Sequence, residues 1–234
     1  MDLARTALPP LGSSDERARL HGALVALCNE AAAAILKVYS GAFDVTTKDD
    51  RSPVTAADLA AHHVLCDGLA RLTPGVPVLS EESADIPWTT RRTWRRFWLV
   101  DPLDGTKEFI KRNGEFSVNV ALIEDGHAVL GIVQEPVTGV WHLGDVGAGL
   151  WRGIGPWQPH AQPASDRPLV RAPGRLRVAL SRSHHSANSD ALIAAWPSSE
   201  TIALGSSLKY CRMVDGALDA YPRLGPTSGW DTAA

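Results

Sequence analysis

The residues with the clearest chemical potential are clustered at positions 101–107, in the run Asp-Pro-Leu-Asp-Gly-Thr-Lys. Hard divalent cations such as Mg2+ bind carboxylate and carbonyl oxygens. Asp101 and Asp104 could therefore face one ion or bridge two, with the Leu103 carbonyl between them. The free N–H groups after Gly105 could hold a phosphate at a helix N-terminus. This combination indicates phosphoryl transfer, although Asp-x-x-Asp alone is as typical of a turn or a helix cap.

Three further acidic positions could serve the same chemistry. Glu81 directly follows a short apolar run, as Asp101 does, although a pair of adjacent glutamates is usually a solvated loop. Asp58 stands three residues after Thr55, where the acid of a capping box belongs. Asp231 precedes Thr-Ala-Ala and could be an ordinary helix N-cap. Each position therefore keeps a purely structural alternative beside the metal-binding one.

The second half of the chain offers two weaker candidates. The segment Ser206-Ser207-Leu208-Lys209 is a polar helix start that could hold an anion. His184 and His185 follow a predicted strand, but adjacent side chains point apart and make a poor metal pair without a third ligand. We interpret this pair as surface or substrate-edge histidines.

Composition limits the class of protein. The chain has 234 residues, 44% of them apolar, which suits one large domain or two small, closely packed ones. Its net charge of -3 argues against a general binder of nucleic acid or anionic membranes. Three widely separated cysteines exclude a disulfide framework and a CxxC motif, which predicts a cytoplasmic protein. The apolar stretch 22–36 is interrupted by Asn29 and Glu30, so we expect no integral membrane segment, and peripheral membrane association is left open.

The hydrophobic pattern predicts elements that would bring these acids together. Helices are expected over 14–41 and 55–72, and two short buried strands, 77–80 and 97–100, end directly before Glu81 and Asp101. Open α/β sheets bind ligands at the carboxyl ends of such strands.

Alternating residues over 116–143 then predict an antiparallel meander. A loop over 152–174 is rich in proline, glycine and arginine and separates two halves, 13–150 and 175–234. The second half is expected to contain the strand 176–181, a helix near 190–196, the strand 201–204 and a helix over 206–218.

Three segments together resemble a known superfamily. They are Glu81-Glu82, the run 101–106 and the terminal Trp-Asp-Thr-Ala-Ala. These resemble the metal motifs of the lithium-sensitive, Mg2+-dependent phosphatases, which include inositol monophosphatase and fructose-1,6-bisphosphatase. Within that superfamily, Gly-Thr-Lys-Glu-Phe-Ile-Lys-Arg-Asn-Gly-Glu-Phe at 105–116 resembles the CysQ-type 3'(2'),5'-bisphosphate nucleotidases. Inositol monophosphatases typically show Thr-Asn-Phe after the Gly-Thr.

The resemblance extends from Thr55 to the end of the chain and implies a fold and a set of roles. The fold would be a layered α-β-α-β-α sandwich, described as α+β or α/β. One Mg2+ would be held by Glu81, Asp101 and the Leu103 carbonyl, and a second by Asp101, Asp104 and Asp231. Asp58 and Thr106 would be the catalytic pair that activates water. The resemblance places the substrate against Glu81, Leu103, Asp104, Gly105, Thr106, His184, Ser206, Lys209, Arg223 and Asp231.

The implied reaction is hydrolysis of the 3'-phosphate of adenosine 3',5'-bisphosphate, and of its sulfated form, to AMP and phosphate with two or three Mg2+ ions. The alternative within enzymes is an inositol or sugar phosphatase. In the family the Trp-Asp-x-Ala-Ala motif begins a helix with further chain after it, whereas the sequence stops at Ala234. We therefore expect a truncated C-terminus, which would leave Asp231 less firmly placed and allow an inactive nucleotide-binding regulator. The partner is expected to be the small nucleotide, with no nucleic acid, in a monomer or homodimer.

Overall fold

Two long helices begin at capping boxes, as the sequence predicts. In the computed structural model, which describes residues 12–47, 53–158, 175–183, 187–196 and 198–234, helix α1 spans Ser14–Tyr39 and helix α2 spans Ala56–Leu72. Ser13 caps α1 by exchanging hydrogen bonds with Glu16, and Thr55 caps α2 by the same exchange with Asp58. The short strands β1 (Val45–Thr47) and β2 (Pro53–Thr55) pair antiparallel ahead of α2.

A six-stranded mixed sheet forms the centre of the molecule. Its strands lie side by side in the order β3 to β8, with β3 and β4 parallel and all other neighbours antiparallel. The strands are β3 (Val78–Ser80), β4 (Arg96–Asp104), β5 (Ser117–Glu124), β6 (His127–Gln134), β7 (Val140–Asp145) and β8 (Gly149–Ile154). Two short helices, α3 (Trp88–Arg91) and α4 (Thr106–Ile110), flank β4 along the chain. The predicted meander is thus present and has one strand more than the pattern indicated.

The core lies between the helices α1 and α2 and one face of this sheet. It contains fully buried residues of both helices and of the sheet, including Val25, Ile35, Leu65, Trp98 and Phe116. Among the helices of the described residues, α1 alone is long and apolar enough to cross a membrane by length and composition. Its buried apolar residues, such as Leu24, Val25 and Ile35, are part of this core.

The second half packs on the opposite side of the large sheet. Strand β9 (Leu176–Ser181) pairs in parallel with β10 (Ser199–Leu204), and helix α5 (Ala187–Ala194) connects them. Helix α6 (Leu208–Val214) contacts both sheets, because Lys209 Nζ donates to the Leu204 carbonyl and Arg212 binds Glu135 beside β6. The layers therefore follow in the order helices, sheet, helix and smaller sheet with its connecting helix.

Several element boundaries differ from the sequence-based expectation, among them those of α5, which spans Ala187–Ala194 instead of lying near 190–196. Residues 152–154 belong to β8 rather than to the predicted loop, since Trp151 and its neighbours pair with β7. Helix α6 begins at Leu208 instead of Ser206, because Ser206 has a positive φ of 45°. An L-residue in that conformation cannot continue a right-handed helix. The predicted helix also ends earlier, at Val214.

Candidate active site

Strand β4 and the turn after it place the first two acids. The register between β4 and β5 shifts between Asp101 and Asp104, so the strand is irregular where its acids occur. The Asp101 carboxylate accepts the Leu103 N–H at 3.1 Å, and Gly105 turns the chain with a φ of 93° before α4 begins. This positive φ suits glycine, which lacks the Cβ that would clash there.

The third acid reaches the same place from the end of the described chain. Asp231 closes a 3-10 turn, Gly229–Asp231, that contacts β4 and β5. Its carboxylate accepts the Ser228 N–H at 3.1 Å and the Thr227 hydroxyl at 3.0 Å. Asp231 is therefore the third residue of a capping box whose N-cap is Ser228, and not the N-cap itself that its structural alternative predicted. It nevertheless offers an oxygen within 4.8 Å of ligand oxygens of Asp101 and Asp104.

The three acids repel one another inside the protein. Burial raises the pKa of Asp101 well above its usual value, and the charges of Asp104, Glu81 and Asp231 add to the effect. Burial and then Asp231 raise the pKa of Asp104 to about 7, although Lys209 opposes the shift. Such a cluster favours a bound cation that would offset the repulsion. All the donors are oxygens, so the site fits a hard ion such as Mg2+.

Asp58 and Thr106 form a hydrogen-bonded pair beside these acids. The Thr106 hydroxyl lies 3.1 Å from Asp58 Oδ1 and 3.4 Å from the Leu103 carbonyl oxygen. The other carboxylate oxygen, Oδ2, accepts the Thr55 N–H and hydroxyl at 2.8 and 2.7 Å. Burial raises the pKa of Asp58, while these hydrogen bonds pull it down. Asp58 thus caps a helix with one oxygen and contacts Thr106 with the other.

A cavity of 530 Å3 joins Thr106 and the acids of the candidate cation site to the second half of the chain. His184 lies outside the described residues, so the structure does not place it. Every other predicted substrate-binding residue lines the cavity: Glu81, Leu103, Asp104, Gly105, Thr106, Ser206, Lys209, Arg223 and Asp231.

Two cations from the second half of the chain, Lys209 and Arg223, also line the cavity. Lys209 is only 4% exposed, and its ammonium donates to the Leu204 carbonyl at 3.3 Å and to the Ser206 carbonyl. Burial lowers the pKa of Lys209, while Asp104 and Glu108 counteract the shift. The Arg223 Nη2 donates to the Pro226 carbonyl, but its buried Nε has no hydrogen-bond partner among the described residues.

Sequence reasoning missed a polar network that holds Asp104. The Ser207 N–H donates to Asp104 Oδ2 at 2.5 Å, and the Ser207 hydroxyl donates to Asn119 Oδ1 at 2.7 Å. Ser117 lies 2.8 Å from the same hydroxyl. The sequence did carry a signal, because Ser117 and Asn119 are polar residues two apart in a strand whose other residues up to Ile123 are apolar and buried. In a strand such residues share one face.

Comparison with known proteins identifies the relatives of this site. A sequence model described as the inositol monophosphatase family matches residues 16–234. The chain belongs to the inositol monophosphatase family. A family relative named 3'(2'),5'-bisphosphate nucleotidase CysQ, from Escherichia coli (strain K12), is 48% identical over 211 residues, covering 89% of this chain and 82% of that protein.

Solved structures of the inositol monophosphatase family agree with the layered fold. The crystal structure of CysQ from Bacteroides thetaiotaomicron has a TM-score of 0.77 at 35% identity and covers 94% of this chain and 84% of that one. The extragenic suppressor protein suhB from Bartonella henselae has a TM-score of 0.73 at 22% identity, covering 92% of this chain and 82% of that one. The second likeness bears on the fold alone, and together they confirm the predicted layered sandwich.

Proposed function

We propose that this inositol monophosphatase family member is a 3'(2'),5'-bisphosphate nucleotidase that removes the 3'-phosphate of adenosine 3',5'-bisphosphate. The 48% identity to the Escherichia coli protein of that name supports the reaction class. The assignment of the substrate rests on one observation, which is that Lys209 and Arg223 line the cavity that also contains the acids. A bisphosphate has a second phosphate that needs cationic partners of its own, and this cavity supplies them.

The proposed cofactor is Mg2+, held by Glu81, Asp101, the Leu103 carbonyl, Asp104 and Asp231. When bound there, Mg2+ would lower the pKa of a water molecule and offset the charge of the phosphoryl oxygens. The proposal includes two or three such ions. It also includes inhibition by Li+ and hydrolysis of the sulfated nucleotide in the cytoplasm.

The protein's own part in the proposed mechanism is to take a proton from the attacking water. Thr106 donates its hydroxyl hydrogen to Asp58 Oδ1, which leaves the Thr106 oxygen able to accept a hydrogen from water. The water proton would pass to Thr106 Oγ1 as the threonine proton moves to Asp58. Because burial raises the pKa of Asp58, this carboxylate is a better proton acceptor than an exposed aspartate.

The two phosphates of the substrate would be held by different residues that line the cavity. The backbone N–H groups of Thr106 and Lys107 belong to residues that line it and could donate to phosphoryl oxygens. Arg223 and Lys209 would bind the 5'-phosphate and so orient the 3'-phosphate toward the acids. The 3'-oxygen leaves with the electron pair of its bond to phosphorus and takes up a proton from solvent, so the products are AMP and phosphate.

The test is phosphate release from a panel of phosphomonoesters at increasing Mg2+. We expect adenosine 3',5'-bisphosphate to give the highest kcat/KM and AMP as its nucleotide product, with activity lost in EDTA and reduced by Li+. A higher kcat/KM for inositol 1-phosphate or fructose 1,6-bisphosphate would favour the sugar or inositol phosphatase. Full activity in EDTA would contradict the metal assignment, and no turnover of any substrate would favour a nucleotide-binding regulator.

A further inference from the structure

A second group of metal-ligating side chains lies on the far side of helix α6 from the acidic cavity. Glu135 follows β6, His142 lies in β7, and Cys211 lies in α6. One ligand atom from each comes within 4.8 Å of the other two. All three residues are buried, with exposed fractions of 3%, 5% and 2%. None of them belongs to the site proposed for Mg2+.

His142 has one ring nitrogen engaged by a carboxylate and the other without a partner in the part of the chain that the structure describes. Its Nε2 lies 2.9 Å from Asp215 Oδ1, and its buried Nδ1 has no hydrogen-bond partner among the described residues. Metal-binding histidines commonly donate their second ring N–H to a carboxylate, which fixes the tautomer and makes the other nitrogen more basic. Asp215 is the carboxylate partner of Nε2 here, which leaves Nδ1 as the ring nitrogen open to a ligand.

Cys211 is a free thiol whose surroundings keep it protonated until a cation arrives. Burial, with the charge of Glu135 adding to it, raises the pKa of Cys211 to about 12. A thiol in this state is a poor nucleophile. A bound metal ion would compensate the thiolate charge and release the proton to solvent.

We propose that Glu135, His142 and Cys211 form a second metal site, for a borderline-soft divalent ion of the Zn2+ class. A thiolate and an imidazole favour such an ion over Mg2+, whose preferred ligands are oxygens. Ligands of a tetrahedral zinc ion lie about 3.5 Å apart, so the three side chains need to move inward only slightly.

The surroundings leave room for the ion, and they let Glu135 and Arg212 change hydrogen-bond partners. A cavity of 340 Å3 adjoins His142 and Cys211 and would admit the ion with a water as its fourth ligand. Both oxygens of Glu135 bind Arg212, at 2.7 and 2.8 Å. Arg212 also lies 3.5 Å from Asp215, so it keeps a partner when Glu135 gives one oxygen to the metal.

The location connects this site to the cavity of the proposed reaction. Cys211 and Lys209 lie two residues apart on α6, and the residue before this helix, Ser207, donates its N–H to Asp104. An ion bound to Cys211 would therefore restrict the movement of α6, the helix that contains Lys209 and directly follows Ser207. The proposal of this second metal site does not depend on which substrate the enzyme uses.

The experiment is a Co2+ titration of the full chain in excess Mg2+, followed by near-ultraviolet absorption. A thiolate bound to Co2+ gives an intense charge-transfer band, whereas the carboxylates of the acidic cavity give none. We expect the band to saturate at one equivalent, to disappear on addition of Zn2+, and to be absent in Cys211→Ser. His142→Gln should weaken Co2+ binding tenfold or more, consistent with loss of one ligand.

Cys66→Ser is the matched control, because Cys66 lies 3.5 Å from His62 Nδ1 and is a rival cysteine–histidine pair. The proposal requires the band to survive in this variant. It is overturned if wild type shows no band, if Cys211→Ser retains it, or if Cys66→Ser loses it. Circular dichroism checks the fold of each variant. Should Cys211→Ser not fold, His142→Gln decides the question, since retention of wild-type Co2+ affinity there also overturns the site.

Discussion

The buried side chain of Lys209 both bonds to the backbone around it and acts on Asp104 through its charge. Its ammonium is bonded to two backbone carbonyls and lowers the pKa of Asp104 through its charge. It also lies 5.2 Å from the Tyr221 ring, in a cation–π contact. Because Lys209 acts on an acid of the proposed metal site, its removal would affect every substrate. Arg223 is therefore the better residue for testing recognition of the nucleotide.

Arg223→Ala should raise KM for adenosine 3',5'-bisphosphate by roughly tenfold or more, the effect of losing a charge-assisted hydrogen bond of about 1.5–3 kcal/mol. KM for inositol 1-phosphate should hardly change, since that substrate has no second phosphate. Arg95→Ala is the matched control, because Arg95 pairs with Asp125 at the surface. Steady-state kinetics on both substrates make the comparison. Equal losses on both would indicate general damage, and no change on either would make Arg223 a solvated charge.

Asp104→Asn should reduce kcat more than tenfold, a barrier increase above about 1.4 kcal/mol, because it removes a charge from the proposed cation site. The asparagine keeps an oxygen that can accept the Ser207 N–H. Without divalent ions the variant should be at least as stable as wild type, since repulsion between buried acids is relieved. Phosphate release and thermal unfolding in EDTA measure the two effects. A variant with more than a tenth of wild-type kcat would show that Asp104 is not a ligand.

At the scale of elements, the turn between β4 and α4 is confined on both sides. A Cβ added to Gly105 would lie 3.0 Å from the Glu115 carbonyl oxygen and 3.2 Å from Ser206 Cβ. The neighbouring Gly205 is tighter still, with a Cβ position 2.6 Å from that same oxygen. Glycine is therefore required at both places by close approach, and at Gly105 by a positive φ as well.

Gly105→Ala should destabilise the protein more than Gly75→Ala does. Both positions have a positive φ, 93° and 87°, so both variants incur the backbone cost of about 1–2 kcal/mol. A Cβ added at Gly75 would have no other atom within 4 Å, whereas a Cβ added at Gly105 would come too close to the backbone carbonyl oxygen of Glu115. Urea unfolding should show an excess loss of about 1 kcal/mol for Gly105→Ala. This variant should also lose kcat, and the Gly75 variant should not; equal stabilities would show that the turn relaxes freely.

The elements also show what sequence reasoning could and could not reach. Capping of α1 and α2 is local, so Ser13 with Glu16 and Thr55 with Asp58 were readable from spacing alone. The meeting of Asp231 with Asp104 depends on the packing of segments far apart in the chain, and only the family resemblance predicted it. The Ser207 N–H was missed because the left-handed conformation of Ser206, which moves the start of α6, has no sequence signal at a serine.

At the scale of the whole molecule, one buried carboxylate connects the first turns of α1 to β7, the strand next to the edge strand β8. Arg17 and His21 of α1 both bind the Asp145 carboxylate at the end of β7, with His21 Nε2 at 2.8 Å. Burial lowers the pKa of His21, and the attraction of Asp145 only partly offsets it. For Asp145, burial raises the pKa but the hydrogen bonds from Arg17, His21 and Gly147 outweigh it, so its pKa is lowered.

Lowering the pH should reduce the stability of the folded protein through protonation of His21. Because the pKa of His21 is lower in the folded protein than in the unfolded chain, the unfolded chain takes up the proton first as the pH falls. The contribution of His21 to stability is therefore complete above pH 6.5, its ordinary pKa, and declines below that pH. The slope is at most about 1.4 kcal/mol per pH unit. We expect the stability difference between wild type and His21→Gln to shrink from pH 7.5 to pH 5, measured by urea unfolding in constant Mg2+. A difference that grows on acidification would mean that His21 is protonated in the fold.

The position of Asp231 in the chain has a consequence for synthesis. A ribosome completes α1, α2 and the six-stranded sheet before the Gly229–Asp231 turn emerges. The nascent protein can thus build its core around Asp101 and Asp104 before the third negative charge arrives. The turn is closed by its own bonds from Thr227 and Ser228, so it can form without help from the sheet. The third negative charge then joins the site after the sheet that carries Asp101 and Asp104 has been synthesised.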